Sequence, residues 1–253
     1  MKIPFVLSVL ICAMQLSSGA AAAETTGEPD REPRAAPTDV RDLPLTEVPA
    51  PAGGDMLALL ITGDGGWAPL DRQLSAELAR GGIPVVGLSS LEYFWHARTP
   101  EFAARDIAEV LQHYLTTWQR SRIMLIGYSR GAQVLPFIVN RLPSDLHARL
   151  SSVNLLGLAA NATFEVSAAS WIGTGAAPSM PVAPELARIA SVPVLCVYGE
   201  DERDSLCPSL AQTNVTPFKL GSGHHFSGDY RTLGQTIAKF STRPPGLPRS
   251  PAK

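Results

Sequence analysis

Cysteine is scarce in this 253-residue chain: Cys12 lies in an N-terminal apolar stretch, and only Cys196 and Cys207 follow it. Neither of the latter belongs to a C-x-x-C unit, and the five histidines lack paired metal-binding spacings, which argues against a metal site. An excess of one charge is also missing. The formal net charge of −2 carries no polyanion-binding signature, so nucleic acid is not an expected partner. No internal repeat is present. No G-K-[ST] follows the glycine-rich loop at 61–67, which makes a phosphate loop a poor reading. No cofactor is implied.

What is present begins with a secretory signal at 1–23. Lys2 supplies the positive start, residues 3–14 an apolar core too short to span a membrane, and the alanines at 20–23 a cleavage site. Ile11 stands before Cys12 where a lipoprotein signal wants a small residue, so a lipid anchor is not expected. The mature protein is read as exported and periplasmic. In an oxidising compartment the remaining pair, Cys196 and Cys207, is expected to form a disulfide. Prolines and charges at 24–42 predict a disordered linker, and the prolines of 241–253 a loose tail.

Between these ends, at 43–240, short apolar runs alternate with segments of helical period. That is the pattern of a mostly parallel sheet with helices on both faces, an α/β fold. Strands are predicted at 56–62, 83–88, 122–127, 153–158, 192–198 and 215–220, with a further short one at 43–48. Helices are predicted at 69–80, 100–119, 130–141, 184–189 and 229–240, the third bent or broken by Pro136. Residues 161–184 fit neither period and read as an insertion over one face, in the place of a lid.

After the strand at 122–127 comes Gly127-Tyr128-Ser129-Arg130-Gly131. A G-x-S-x-G turn between strand and helix holds its serine in a strained conformation with the hydroxyl exposed, and the flanking glycines let strand and helix approach closely. Ser129 is therefore the candidate nucleophile. Its position at a strand's carboxyl end, where open α/β sheets bind ligands, supports the same reading. Such a serine needs a base, an acid and oxyanion donors, in the chain order serine, acid, histidine. His224, in "GSGHHF" after the last strand, is the preferred base, with His225 as alternate. In "GEDERDSLCP" Asp204 is the preferred acid, with Glu202 as alternate, and a Cys196–Cys207 bridge would pin that loop. The oxyanion donors are expected from the backbone of Arg130 and from Asp64 and Gly65 in "ITGDGGW". Asp64 is also a candidate partner for a basic acyl group, with the turn-capping role as the bland alternative. Tyr93 and Trp95, in "LEYFWHARTP", are candidate substrate walls, although such aromatics are as often core.

Taken together, "TGDGGWAPLD", "YFWHARTPE", "LIGYSRGAQVLPFIVNRLP", "VLCVYGEDERDSLCP" and "GHHFSGDY" resemble the VirJ/AcvB family of exported bacterial proteins, from about residue 43 to about 240. The resemblance implies an α/β-hydrolase fold and a periplasmic serine hydrolase cleaving the aminoacyl ester of lysyl- or alanyl-phosphatidylglycerol, associated with virulence and secretion systems. It carries the nucleophile, acid and base roles to Ser129, Asp204 and His224. Its implied partners are an aminoacylated phospholipid at the membrane surface and secretion-system or exported proteins. Arg130 departs from the phenylalanine or similar residue expected there; its side chain either draws the lipid phosphate or points to solvent. A non-catalytic assembly factor on the same fold, and an esterase or peptidase of other substrates, are the competing functions, and fold alone does not separate them.

Overall fold

The computed structural model describes residues 39–166, 178–210 and 212–242. The expected signal peptide, most of the linker, nearly all of the tail and the centre of the insertion lie outside the described residues.

Six successive apolar residues form β2 (Met56–Ile61), and all are buried, as a strand covered on both faces requires. Their alternation divides the interior. Leu57, Leu59 and Ile61 enter one core with α3 (Pro100–Thr117) and α4 (Arg130–Val139). Met56, Ala58 and Leu60 enter the other with α1 (Pro69–Arg80) and α7 (Tyr230–Ser241). The remaining strands of the main sheet are β1 (Leu45–Val48), β3 (Val85–Leu88), β4 (Arg122–Tyr128), β5 (Leu150–Leu156), β8 (Val194–Tyr198) and β9 (Val215–Lys219). Their spatial order is β1-β3-β2-β4-β5-β8-β9. Only β1, at the edge, runs antiparallel. The loops leaving β2, β4, β5, β8 and β9 therefore all open on one end of the sheet.

Local signals account for the helix starts. Pro69 and Pro100 occupy first-turn positions, where a missing N–H costs nothing. Thr99 accepts the Phe102 amide at 3.1 Å and Asp229 the Thr232 amide at 3.2 Å, each satisfying an end group the helix cannot. As predicted, α4 contains Pro136; it ends at Val139, two residues before the expected boundary. Residues 40–42, expected in the linker, form a 3-10 turn. Three small elements carry no periodic signal because they are one turn or two residues long: α2 (Ser90–Tyr93), α5 (Ser144–His147) and the ladder of β6 (Asn161–Ala162) on β7 (Met180–Pro181). That ladder closes the two ends of the 161–184 segment on each other. The helix expected at 184–189 starts earlier, as α6 (Val182–Ala187).

Asp71 is the one charged residue on the buried face of α1. It is fully buried; one carboxylate oxygen accepts the Ala68 amide at 3.0 Å, and the other has no hydrogen-bond partner among the described residues. Burial pushes its pKa up from 3.8 to about 6. A raised acid pKa penalises the fold once pH exceeds the unfolded value, and the full cost, about 3 kcal/mol, applies above the folded one. Asp71→Asn is therefore expected to stabilise the protein at pH 7 and to change little at pH 4. Urea unfolding at both pH values tests this, and equal effects at the two would contradict it.

Candidate active site

Ser129 sits between β4 and α4 at φ 54°, ψ −114°, in a region that L residues enter only when the surroundings force it. Its amide donates to the Leu156 carbonyl at the end of β5 at 2.9 Å. The glycines at either side are steric necessities: a β-carbon on Gly127 would overlap the Gly131 backbone, and one on Gly131 would overlap the Ile61 carbonyl. The turn is thus wedged against the ends of β2 and β5. The Arg130 N–H, first in α4, belongs to the helix-start amides that have no partner inside their own helix.

The glycine loop after β2 lies directly against this turn, since a β-carbon on Gly63 would come within 3.2 Å of the Ser129 β-carbon. The loop is tethered from below. The Gly63 carbonyl accepts the Ser90 hydroxyl at 2.7 Å, the Thr62 hydroxyl at 3.1 Å and the Gly66 amide at 3.1 Å. Because a trans peptide sets N–H opposite C=O, the Asp64 N–H points away from that buried anchor.

On the other side, the loops after β8 and β9 meet through bare backbone: a β-carbon on Gly199 would overlap Gly223. Asp201 accepts from the Gly223 amide and the Ser222 hydroxyl, and those bonds hold its pKa below the usual value. This sets the start of "GHHF" in place. His224 Nδ1 then lies 2.5 Å from Glu202 Oε1. A carboxylate only accepts, so Nδ1 donates, and in the neutral imidazole Nε2 carries the lone pair. The other Glu202 oxygen accepts the Gly199 amide at 3.1 Å. The acid side chain is 12% exposed and the imidazole 41%, a shielded carboxylate orienting an accessible ring. Gly157, at φ +62° after β5, makes room for the pair: a β-carbon there would fall 2.5 Å from the imidazole. Ser129 and His224 thus flank the same β5 terminus.

The carboxylate at the imidazole is Glu202, which corrects the preference for Asp204. Glu202 closes a tight turn immediately after β8, its amide bonded to the Gly199 carbonyl at 3.2 Å. Asp204 comes after the chain has turned outward and is exposed. His225 Nδ1 meets the Tyr128 hydroxyl at 2.9 Å, so the second histidine braces the turn. Tyr128 also lays its ring beside His224, centroids 5.2 Å apart and 32° from parallel. Burial pushes the Tyr128 pKa well above its ordinary value, which keeps the hydroxyl a donor.

Three side-chain expectations require correction. Tyr93 is 2% exposed and its hydroxyl donates to Asp106 at 2.6 Å; it belongs to the core beneath the rim. Asp64 is paired with the Arg130 guanidinium, so its carboxylate is not free for a basic acyl group. The Arg130 side chain, 8% exposed, neither points to solvent nor waits for a phosphate. Trp95, in contrast, is 56% exposed. Its neighbours are fixed to the 161–166 segment: the Val166 amide donates to the Phe94 carbonyl at 2.6 Å and the Arg98 amide to the Phe164 carbonyl at 2.9 Å. Gly65 lies in the tethered turn. Tyr128, Gly157, Ser90 and Asp201 escaped the sequence reading. Only Gly157, a glycine at the end of a predicted strand, carried a signal that could have revealed it.

Cys196, buried in β8, is bonded to Cys207 (Sγ–Sγ 2.06 Å), closing a loop that contains Glu202. A loop of this size contributes about 3 kcal/mol by restricting the unfolded chain. Replacing both cysteines by alanine is expected to cost about that much in denaturant unfolding and to lower activity by loosening Glu202. Full activity in the double variant would refute the second part. Among the described residues no group of three His, Cys, Asp or Glu side chains could hold a metal ion, and no described helix is long and apolar enough to cross a membrane.

A family model described as bacterial virulence protein (VirJ) matches residues 55–243. No curated protein sequence matches significantly. Similar solved structures include proline iminopeptidase from Mycobacterium smegmatis, at TM-score 0.54 and 13% identity, covering 78% of this chain and 94% of that one. Ferulic acid-bound Est1E from Butyrivibrio proteoclasticus has TM-score 0.54 and 12% identity over 80% and 96%. A thioesterase domain from the curacin biosynthetic pathway has TM-score 0.52 and 14% identity over 77% and 94%. At these identities the likeness establishes the α/β-hydrolase fold.

Proposed function

Because this chain belongs to the VirJ family of bacterial virulence proteins, and because it places a hydrogen-bonded His224–Glu202 pair at the sheet end that carries Ser129, we propose that it is a serine hydrolase of carboxylic esters. The His224–Glu202 bond is the observation that carries the reading. A binding module has no need of an accessible imidazole whose tautomer is set by a shielded carboxylate.

Ser129 Oγ attacks the acyl carbon while His224 Nε2 takes its proton. The negative charge that develops on the carbonyl oxygen is met by the Arg130 and Asp64 amides, in a site favoured by the positive end of α4. The C–O bond to the alcohol then breaks, and His224 returns the proton to the departing oxygen. Water, deprotonated by His224, attacks the acyl-enzyme; the bond from the acyl carbon to Ser129 Oγ breaks, the carboxylic acid departs, and His224 returns the proton to Oγ.

The substrate we propose is the aminoacyl ester of aminoacylated phosphatidylglycerol, met at a membrane surface in the periplasm. Exposed Trp95, an amphipathic ring suited to the interface, supports this placing, as does the disulfide, which fits an oxidising compartment. With Asp64 occupied by Arg130, the loop offers no free carboxylate to favour a lysyl over an alanyl group. The test is release of free amino acid from vesicles of phosphatidylglycerol containing lysyl- or alanyl-phosphatidylglycerol, by wild type and by Ser129→Ala. Release by wild type alone is expected. Release by both or by neither would rule out this substrate for Ser129. Absent labelling by a fluorophosphonate probe would favour the assembly-factor role instead.

A further inference from the structure

The nucleophile, base and acid leave one buried charged group beside them unused, the Arg130 guanidinium. Its Nε donates to Asp64 Oδ1 and its Nη2 to Asp64 Oδ2, the latter at 3.2 Å. Its Nη1 donates to the Thr163 carbonyl at 3.0 Å, the Thr163 hydroxyl and the Glu165 carbonyl at 3.1 Å. Each of the three guanidinium nitrogens is therefore engaged, and the group is gripped from two separate segments. A planar fork bound in this way has one orientation, which an ammonium in its place would not have.

We infer that Arg130 is a positioning residue that sets the spacing of the two oxyanion donors, an inference that rests on the hydrolase reading above. One donor is the Arg130 N–H itself, and the other belongs to Asp64. The side chain of the first residue holds the side chain of the second by a two-point ion pair. The Gly63–Asp64 peptide is consequently fixed at both ends: Ser90 and Thr62 hold its carbonyl, and Arg130 holds the residue that carries its N–H. Thr163 and Glu165 keep the guanidinium from swinging away with its load. Three stretches of chain that are remote in sequence meet on this one group.

Solvent access shapes the signature. Asp64 is 46% exposed, but the Arg130 side chain it pairs with is only 8% exposed, so loss of one partner costs stability as well as turnover. Turnover of the folded fraction is therefore the readout that isolates donor placement. An amide moved by a fraction of an ångström stabilises the oxyanion less but leaves ground-state binding intact, so kcat falls while KM holds.

The experiment uses p-nitrophenyl acetate with the full mature chain; rates of the variants that keep Ser129 are expressed per fluorophosphonate-titrated serine so that unfolded protein does not count, and those of Ser129→Ala per folded protein measured by circular dichroism. Asp64→Asn, which preserves size and should not disturb the core, is expected to lower kcat roughly tenfold to a hundredfold, short of the 10²–10³ lost when a donor is deleted outright. KM should stay within about twofold. Arg130→Met is expected to lose as much, and Arg130→Lys to recover part of that loss. The Arg130→Met/Asp64→Asn double variant should be no slower than the slower single variant, because both changes remove one interaction. Wild-type kcat in Asp64→Asn, or losses that multiply in the double variant, would overturn the inference. An inactive Ser129→Ala beside a fully active Asp64→Asn overturns the Arg130 role alone. A Ser129→Ala as fast as wild type removes the hydrolase reading and the Arg130 role with it.

Discussion

Ser129→Ala is expected to reduce ester hydrolysis by roughly four to six orders of magnitude, the scale of losing the nucleophile of a serine triad, and to abolish fluorophosphonate labelling. The fold should be untouched, because the residue's hydroxyl accounts for none of the backbone contacts that wedge the turn between β2 and β5. A companion substitution sharpens the result. Ser129→Gly is expected to be equally inactive yet at least as stable as wild type, since glycine adopts φ 54° without the strain an L residue carries there. Loss of activity without loss of stability would identify a conformation maintained for chemistry. The measurements are p-nitrophenyl acetate hydrolysis and thermal unfolding on the same preparations. Hydrolysis by Ser129→Ala within tenfold of wild type would remove the serine from the mechanism.

Glu202→Gln is expected to lower kcat by roughly 10³–10⁴, because a triad carboxylate holds the productive histidine tautomer and stabilises the imidazolium. An amide in its place can donate to Nδ1 and so favour the tautomer whose Nε2 carries the proton, which is useless as a base. Asp204→Asn should stay within about threefold of wild type, as expected of an exposed loop charge. The comparison matters because both acids lie in one short loop closed by the Cys196–Cys207 bridge. Substituting either alters local charge equally, so a large difference in kcat can come only from contact with His224. The reverse ranking would mean that the loop rearranges when substrate binds and that Asp204 replaces Glu202 at the imidazole.

The loop also illustrates where sequence reading stops. "GEDERDSLCP" offers four carboxylates, and three have distinct tasks: Glu200 pairs with Lys219, Asp201 holds the Gly223 amide, and Glu202 meets His224. Residue type and order locate such a loop but cannot rank neighbours within it, because a turn rotates each successive side chain to a new direction. The same holds for "GHHF", where one histidine meets the acid and the next meets Tyr128. Tyr93 and Trp95 differ for a related reason. Tyr93 ends α2 and Trp95 follows its C-cap, yet one side chain enters the core and the other leaves it, and a single-turn helix has no periodicity to reveal which.

By itself the sequence determined the layered α/β architecture, since runs of buried apolar residues and amphipathic periods are local properties that survive without knowledge of partners. It also determined the G-x-S-x-G turn, because the steric demand for small residues at Gly127 and Gly131 is written in adjacent positions. The choice of Glu202, the room made by Gly157, the tilted packing of Tyr128 beside His224 and the engagement of Arg130 with Asp64 and Thr163 were decided only by the tertiary structure. Each depends on how far one loop reaches toward another across the sheet end. That distance follows from strand order and turn geometry, not from the identity of any one residue.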